Sequence, residues 1–156
     1  MTLREQTCCF TGHRRLPAEP EELFYRLTKT VEQLAGEGIR YFGVGGALGF
    51  DELAARVVLS LRGQHPQLRL ILVLPCPDWD DRWPEEDRRR YARLCEQANK
   101  VIVVSDQYEP GCMQRRNRYL VDNSCTCVCF CRSDTGGTAY TLSYAQKQGL
   151  RIIRLP

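Results

Sequence analysis

Six short apolar runs alternate with amphipathic helical patterns from one end of this 156-residue chain to the other. That alternation leaves few folds open, because consecutive parallel strands need a long crossover between them, usually a helix. The runs are Thr7–Phe10, Ile39–Val44, Leu68–Leu74, Val101–Val104, Cys125–Cys131 and Arg151–Leu155. Between the first two lies a helical stripe of Leu23, Leu27, Val31 and Leu34 within Glu21–Glu37, closed by glycines 36 and 38. Asp51–Arg62 follows the same logic with Leu53, Ala54, Val57, Val58 and Leu61, and helices ending at Ala98, spanning Cys112–Asp122 and spanning Thr138–Lys147 complete the set. Leu68–Leu74 is apolar at nearly every position, which predicts a strand covered on both faces. The expectation is an α/β sandwich with a mainly parallel sheet, helices on both faces and central strand order 3-2-1-4-5, with residues 1–156 forming a single domain.

Composition narrows the functional classes. An apolar content of 43% is enough for one core without disulfides or metal. The charge of +3 comes from 22 basic and 19 acidic side chains, so no general nucleic-acid or membrane signature exists. Two local basic clusters stand out, Arg88-Arg89-Arg90 and Arg115-Arg116 with Arg118. Met1–Gln6 is polar, and no apolar run approaches the ~20 residues of a membrane helix, so a cytoplasmic location is expected. Nine cysteines, an odd number, fit reduced thiols better than a disulfide framework. Cys125, Cys127, Cys129 and Cys131 alternate along a strand at about 6.6 Å intervals on one face, a spacing that does not surround a tetrahedral ion. They are expected to pack as small hydrophobes, and no metal site and no cofactor are expected. Cys8 and Cys9 point to opposite faces of the first strand.

The chemistry gathers where strands end. Gly45-Gly46-Ala47-Leu48-Gly49-Phe50-Asp51 turns a strand into a helix, and exposed amides at such a helix start favour an anion. Thr11, Gly12, His13 and Arg14 follow the first strand and offer a hydroxyl, an approachable amide and two polar or cationic groups. Gly136-Gly137-Thr138 opens the last helix and repeats the anion-site pattern. Arg116 can clamp a phosphate in two places, and Asp51 can accept from ribose hydroxyls; surface pairing and helix capping are the competing readings. All these loops follow parallel strands and therefore open on one rim, where ligands of such sheets bind. The irregular segment Pro75–Pro84 holds both tryptophans of the chain, Trp79 and Trp83.

Taken together, Thr11-Gly12-His13-Arg14, the Gly-Gly-x-x-Gly-x-Asp turn, Met113 with Arg116-Asn117-Arg118-Tyr119 and Val121-Asp122, and Gly136-Gly137-Thr138 before Tyr144-Ala145 resemble the YpsA-like family. That family belongs to the SLOG superfamily of Rossmann-like proteins, with the DprA/Smf DNA-processing proteins and the LOG phosphoribohydrolases. The resemblance covers nearly the whole chain and implies a Rossmann-like three-layer sandwich with a pocket for a nucleotide or nucleotide-derived ligand of the ADP-ribose or NAD-related kind. LOG enzymes pair the arginine of Met-x-x-Arg with a glutamate after Pro-Gly-Gly-x-Gly-Thr. Met113 and Arg116 match the first motif, but Asn117 replaces the usual lysine and the glutamate position falls on Ser143. No acid lies between Thr135 and Pro156, so an N-glycosidic hydrolase would need Asp51 as its carboxylate, with Arg116 as partner. In the helix after the second loop, family members carry an aromatic residue and a glutamate where this chain has Leu53 and Arg56; any base stacking moves to the tryptophans, with Trp83 preferred.

Three readings stay open. The first is binding or sensing of a nucleotide-derived small molecule by Thr11, Gly12, His13, Arg14, Gly45, Gly46, Gly49, Asp51, Trp83, Arg116, Gly136, Gly137 and Thr138. The second is hydrolysis of nucleoside monophosphates at the same pocket. The third is single-stranded DNA binding, resting on the arginine clusters. No membrane partner is expected, and the LOG resemblance implies a homodimer as one state of assembly.

Overall fold

The computed structural model describes residues 1–156 and carries one six-stranded parallel sheet. The elements are β1 (Thr7–Gly12), α1 (Glu21–Gly36), β2 (Tyr41–Val44), α2 (Phe50–Leu61), β3 (Arg69–Leu74), α3 (Glu85–Gln97), β4 (Lys100–Val103), α4 (Cys112–Asp122), β5 (Thr126–Phe130), α5 (Gly137–Lys147) and β6 (Arg151–Arg154). A single turn of 3-10 helix, Arg4–Gln6, precedes them. No helix is long and apolar enough to cross a membrane.

The period-two alternation of the strands sorts their side chains onto two cores. Phe10, Phe42, Leu70, Leu72 and Val128 point to the side covered by α1, α2 and α3. Cys9, Val73, Cys127 and Cys129 point to the side covered by α4 and α5. The two adjacent cysteines of β1 therefore fall in different cores, as their spacing requires. Cys127 and Cys129 are buried hydrophobes of the second core and Cys131 packs against it. Cys125 breaks the expected one-sided row: it lies just before β5, and its sulfur sits on the Thr7 carbonyl beside the first core.

Strand order is 4-3-2-1-5-6. The expected placement of strand 4 beside strand 1 is corrected: β4 pairs only with β3, at the outer edge, and β5 fills the place beside β1. Exposure explains the assignment. All five residues of β5 are buried, as a central strand demands, whereas Val101 and Val103 of β4 are 39% and 45% exposed. α4 then carries the chain back across the sheet from its edge to its centre. The reversal falls between β1 and β5, so the loops after these strands diverge and leave a crevice at their carboxyl ends.

Candidate functional site

That crevice holds a cavity of about 400 Å³. Its walls include Thr11, Gly12, His13 and Arg14 from the end of β1, Ala47 and Asp51 from the turn into α2, Met113, Arg116 and Asn117 from α4, and Gly137 and Thr138 from the start of α5. Segments far apart in the sequence, three strand-to-helix turns and the α4 helix among them, thus meet at one place.

Asp51 stands in the first turn of α2 and is 8% exposed. Its Oδ2 accepts the Ala47 amide at 3.2 Å. Burial pushes its carboxyl from 3.8 up to about 6, against the opposing pull of Arg116, of the Ala47 and Gly45 amides and of Arg14. It is the one carboxylate among the residues lining the cavity. Arg116, 6% exposed, comes from α4 to the same Gly45 backbone. Its Nη1 donates to the Gly45 carbonyl, its Nε donates to Asn117 Oδ1 at 2.8 Å, and its guanidinium lies 5.4 Å from the centre of the Trp79 ring. Burial lowers the pKa of this arginine and the nearby Asp51 raises it again.

The glycine turn is a packing device. Gly49 has φ +81°, and a Cβ there would run into the Arg14 carbonyl, so the β1 loop and the α2 start can touch only through a glycine. Gly45 backs onto Arg116 and Asp51, and Gly46 onto Leu74 beneath Trp79 and Tyr91. These three glycines stand behind the cavity wall; at the start of α5 Gly136 and Gly137 both have open space around them, and only Gly137 is part of the lining.

His13 ties three segments together. Its carbonyl accepts the Phe50 amide, its Nε2 accepts the Arg132 amide at 2.7 Å, and its ring meets Phe130 edge-on at 5.7 Å. Nε2 is therefore occupied as an acceptor, and the side of the ring left for a ligand is Nδ1.

The irregular segment after β3 covers one end. Trp79, Trp83 and Tyr91 form a mutually edge-on cluster with ring centres 5.0, 5.3 and 6.1 Å apart, and Trp79 Nε1 donates to Tyr91 Oη at 2.9 Å. Trp79 lines the cavity beneath Arg116. Trp83, preferred from the sequence, lies outside the lining, with Arg14 5.7 Å over its ring. Trp79 is the wall residue that sequence reasoning passed over, because a segment of prolines and aspartates has no periodicity to say which indole faces in.

A six-stranded parallel sheet between two helical layers, with its cavity at the crevice where strand order reverses, defines a Rossmann-like α/β protein. The YpsA family, described as the YspA SLOG family, matches residues 19–151, and the chain belongs to it. It is 30% identical over 135 residues to the uncharacterized SPbeta prophage-derived protein YoqJ of Bacillus subtilis, covering 78% of this chain and 79% of that one. A UPF0398 protein of Halalkalibacterium halodurans is 31% identical over 118 residues, covering 74% of this chain and 62% of its own length. Among solved structures, DNA processing protein A from Helicobacter pylori, described in terms of its single-stranded DNA binding mode, superposes with a TM-score of 0.71 at 20% identity. That match covers 98% of this chain and 66% of the Helicobacter protein. The Streptococcus pneumoniae DprA superposes at 0.67 with 16% identity, covering 99% of this chain and 51% of that protein. These likenesses show the fold, and the chain spans only part of each DprA structure.

Proposed function

We propose that the rim cavity binds a nucleotide or nucleotide-derived small molecule. One observation carries the reading: a single cavity joins the amide-rich start of α5, two arginines and one buried carboxylate. Phosphate sits at Gly137 and Thr138, where backbone amides and the helix dipole favour an anion, with Arg14 closing over it. Asp51, ionised above pH 6, accepts hydrogen bonds from ribose hydroxyls, and its charge favours the charged form of the nearby Arg116, which the Gly45 carbonyl and Asn117 orient. A lone carboxylate suits holding a sugar better than cleaving its glycosidic bond, which generally uses two acidic groups. Binding or sensing is therefore the leading function, with Asp51-dependent N-glycosidic hydrolysis as its catalytic rival.

The experiment is a thermal-shift and tryptophan-fluorescence titration with AMP, ADP, ADP-ribose and NAD, followed by chromatography for released base. A ligand at a hundred times its dissociation constant adds about 2.7 kcal/mol of stability. A shift without released base supports binding, and released base that disappears in Asp51→Asn establishes the hydrolase. Absence of any shift removes the reading.

The arginine clusters that point to single-stranded DNA are largely engaged, Arg88, Arg89, Arg90 and Arg115 in ion pairs and Arg116 buried. A second reading rests instead on Arg14, Arg15 and Arg132, which border the cavity mouth or its loops and form no ion pair within the chain. With DprA as a structural neighbour, these arginines support a single-stranded DNA track. Affinity for an oligothymidylate that falls steeply with salt supports it, and a flat salt response eliminates it.

A further inference from the structure

The second face of the sheet is incompletely covered. α4 and α5 bury β1 and β5, but β2, β3 and β4 have only one flank of α4 above them. A groove of about 240 Å³ opens there, floored by Gly43, Ile71, Val73 and Ile102 and walled by Tyr119 and Leu120. Gly43 lowers the floor, since a Cβ at that position would lie 2.9 Å from Leu120 Cδ2. Thr7, Tyr41 and Lys100, at the amino ends of their strands, also line it, so it faces away from the rim cavity and shares only Leu120 with it.

Its charge is one-sided. Arg4 and Lys100 are the ionisable cations of the lining, and no carboxylate is among the thirteen lining residues. Neither cation makes an ion pair within the chain; Arg4 Nε donates to the Ser124 carbonyl at 3.2 Å. An apolar floor with a few polar groups at its margin is the usual form of a small-molecule site. This groove has no glycine-turn amides for phosphate, so its ligand differs in kind from that of the rim.

We infer that the groove is a second site, for a small amphiphilic acid whose apolar body lies on Ile71, Val73 and Ile102 and whose anionic group is drawn by Lys100 at the β4 margin, with Arg4 adding positive potential from the opposite margin beside β1. The volume suits one short acyl chain or fused-ring body, and the charge complementarity requires that body to carry an acid.

The test uses the full chain with 1-anilinonaphthalene-8-sulfonate, an apolar anion whose emission rises on burial. The expected result is saturable one-site binding, displaced by sodium decanoate but not by decyltrimethylammonium or by ADP. Lys100→Glu, an exposed change, weakens it by about tenfold, the size of one charge-assisted contact. Ile102→Asn weakens it as well, and both variants keep a cooperative thermal transition, which separates loss of the site from loss of the fold. Equal displacement by decanoate and decyltrimethylammonium, or full binding by Lys100→Glu, overturns the inference. Displacement by ADP places the probe in the rim cavity and also overturns it. Binding that appears only on dilution of a dimer, followed by sedimentation, shows that a second copy covers the face and overturns it too.

Discussion

Asp51 and Arg116 arrive at the Gly45 backbone from helices on opposite faces of the sheet, α2 and α4, and their charged ends converge on the space where a Gly45 side chain would be. A Cβ there would lie 2.8 Å from Arg116 Nη1 and 2.9 Å from Asp51 Oδ2. Gly45→Ala is therefore expected to push the two groups apart. The fold loses about 1–3 kcal/mol, the usual cost of overpacking. Urea denaturation measures the loss, and unchanged stability would mean that the pair relaxes freely.

The charge state of Asp51 makes stability depend on pH. Its folded value of about 6 lies above the 3.8 of an unperturbed carboxyl, so between the two the folded chain holds more protons than the unfolded chain. Its contribution is fully present below pH 3.8 and is lost as pH rises through about 6. Asp51→Asn cannot titrate. The variant should gain about 2 kcal/mol relative to the parent chain on going from about pH 4.5 to about pH 7.5. Parallel stability curves for the two proteins across that range would show that Asp51 does not titrate there.

Much of this site is legible in the sequence, because glycine turns, strand ends and helix starts follow from local pattern. Thr11, His13, Arg14, Asp51, Arg116 and Thr138 are far apart along the chain, yet the rule that parallel strands share a carboxyl rim puts them together. Strand order is less legible. Val101–Val104 reads as apolar as a central strand, and its edge position shows only in the exposure of Val101 and Val103. The glycines do not declare which surface they serve. Gly49 looks like a phosphate turn in sequence, but its neighbour is the Arg14 backbone.

Gly49 gives the sharpest steric prediction. Alanine there meets a positive φ and a backbone carbonyl well inside contact distance, and neither can move without shifting the β1 loop. Gly49→Ala is expected to cost more than about 3 kcal/mol, combining backbone strain with a clash in the packed interior. A variant that melts within a few degrees of the parent chain would contradict this.

Trp79 tests how the cavity wall is held. Trp79→Phe keeps a ring beneath Arg116 but removes the N–H that Tyr91 Oη accepts at 2.9 Å, leaving a hydroxyl on a residue only 8% exposed without that donor. The expected loss is about 1–2 kcal/mol. Trp79→Leu also removes the aromatic face under the guanidinium, a contact of about 1 kcal/mol in a desolvated setting, and should be the less stable of the two. Urea denaturation followed by far-UV circular dichroism orders the variants without relying on the missing indole. If phenylalanine and leucine are equally destabilising, the ring does not hold Arg116 and the hydrogen bond to Tyr91 alone secures the segment. If phenylalanine costs nothing, the cavity wall is held by ring packing against Trp83 and Tyr91 instead.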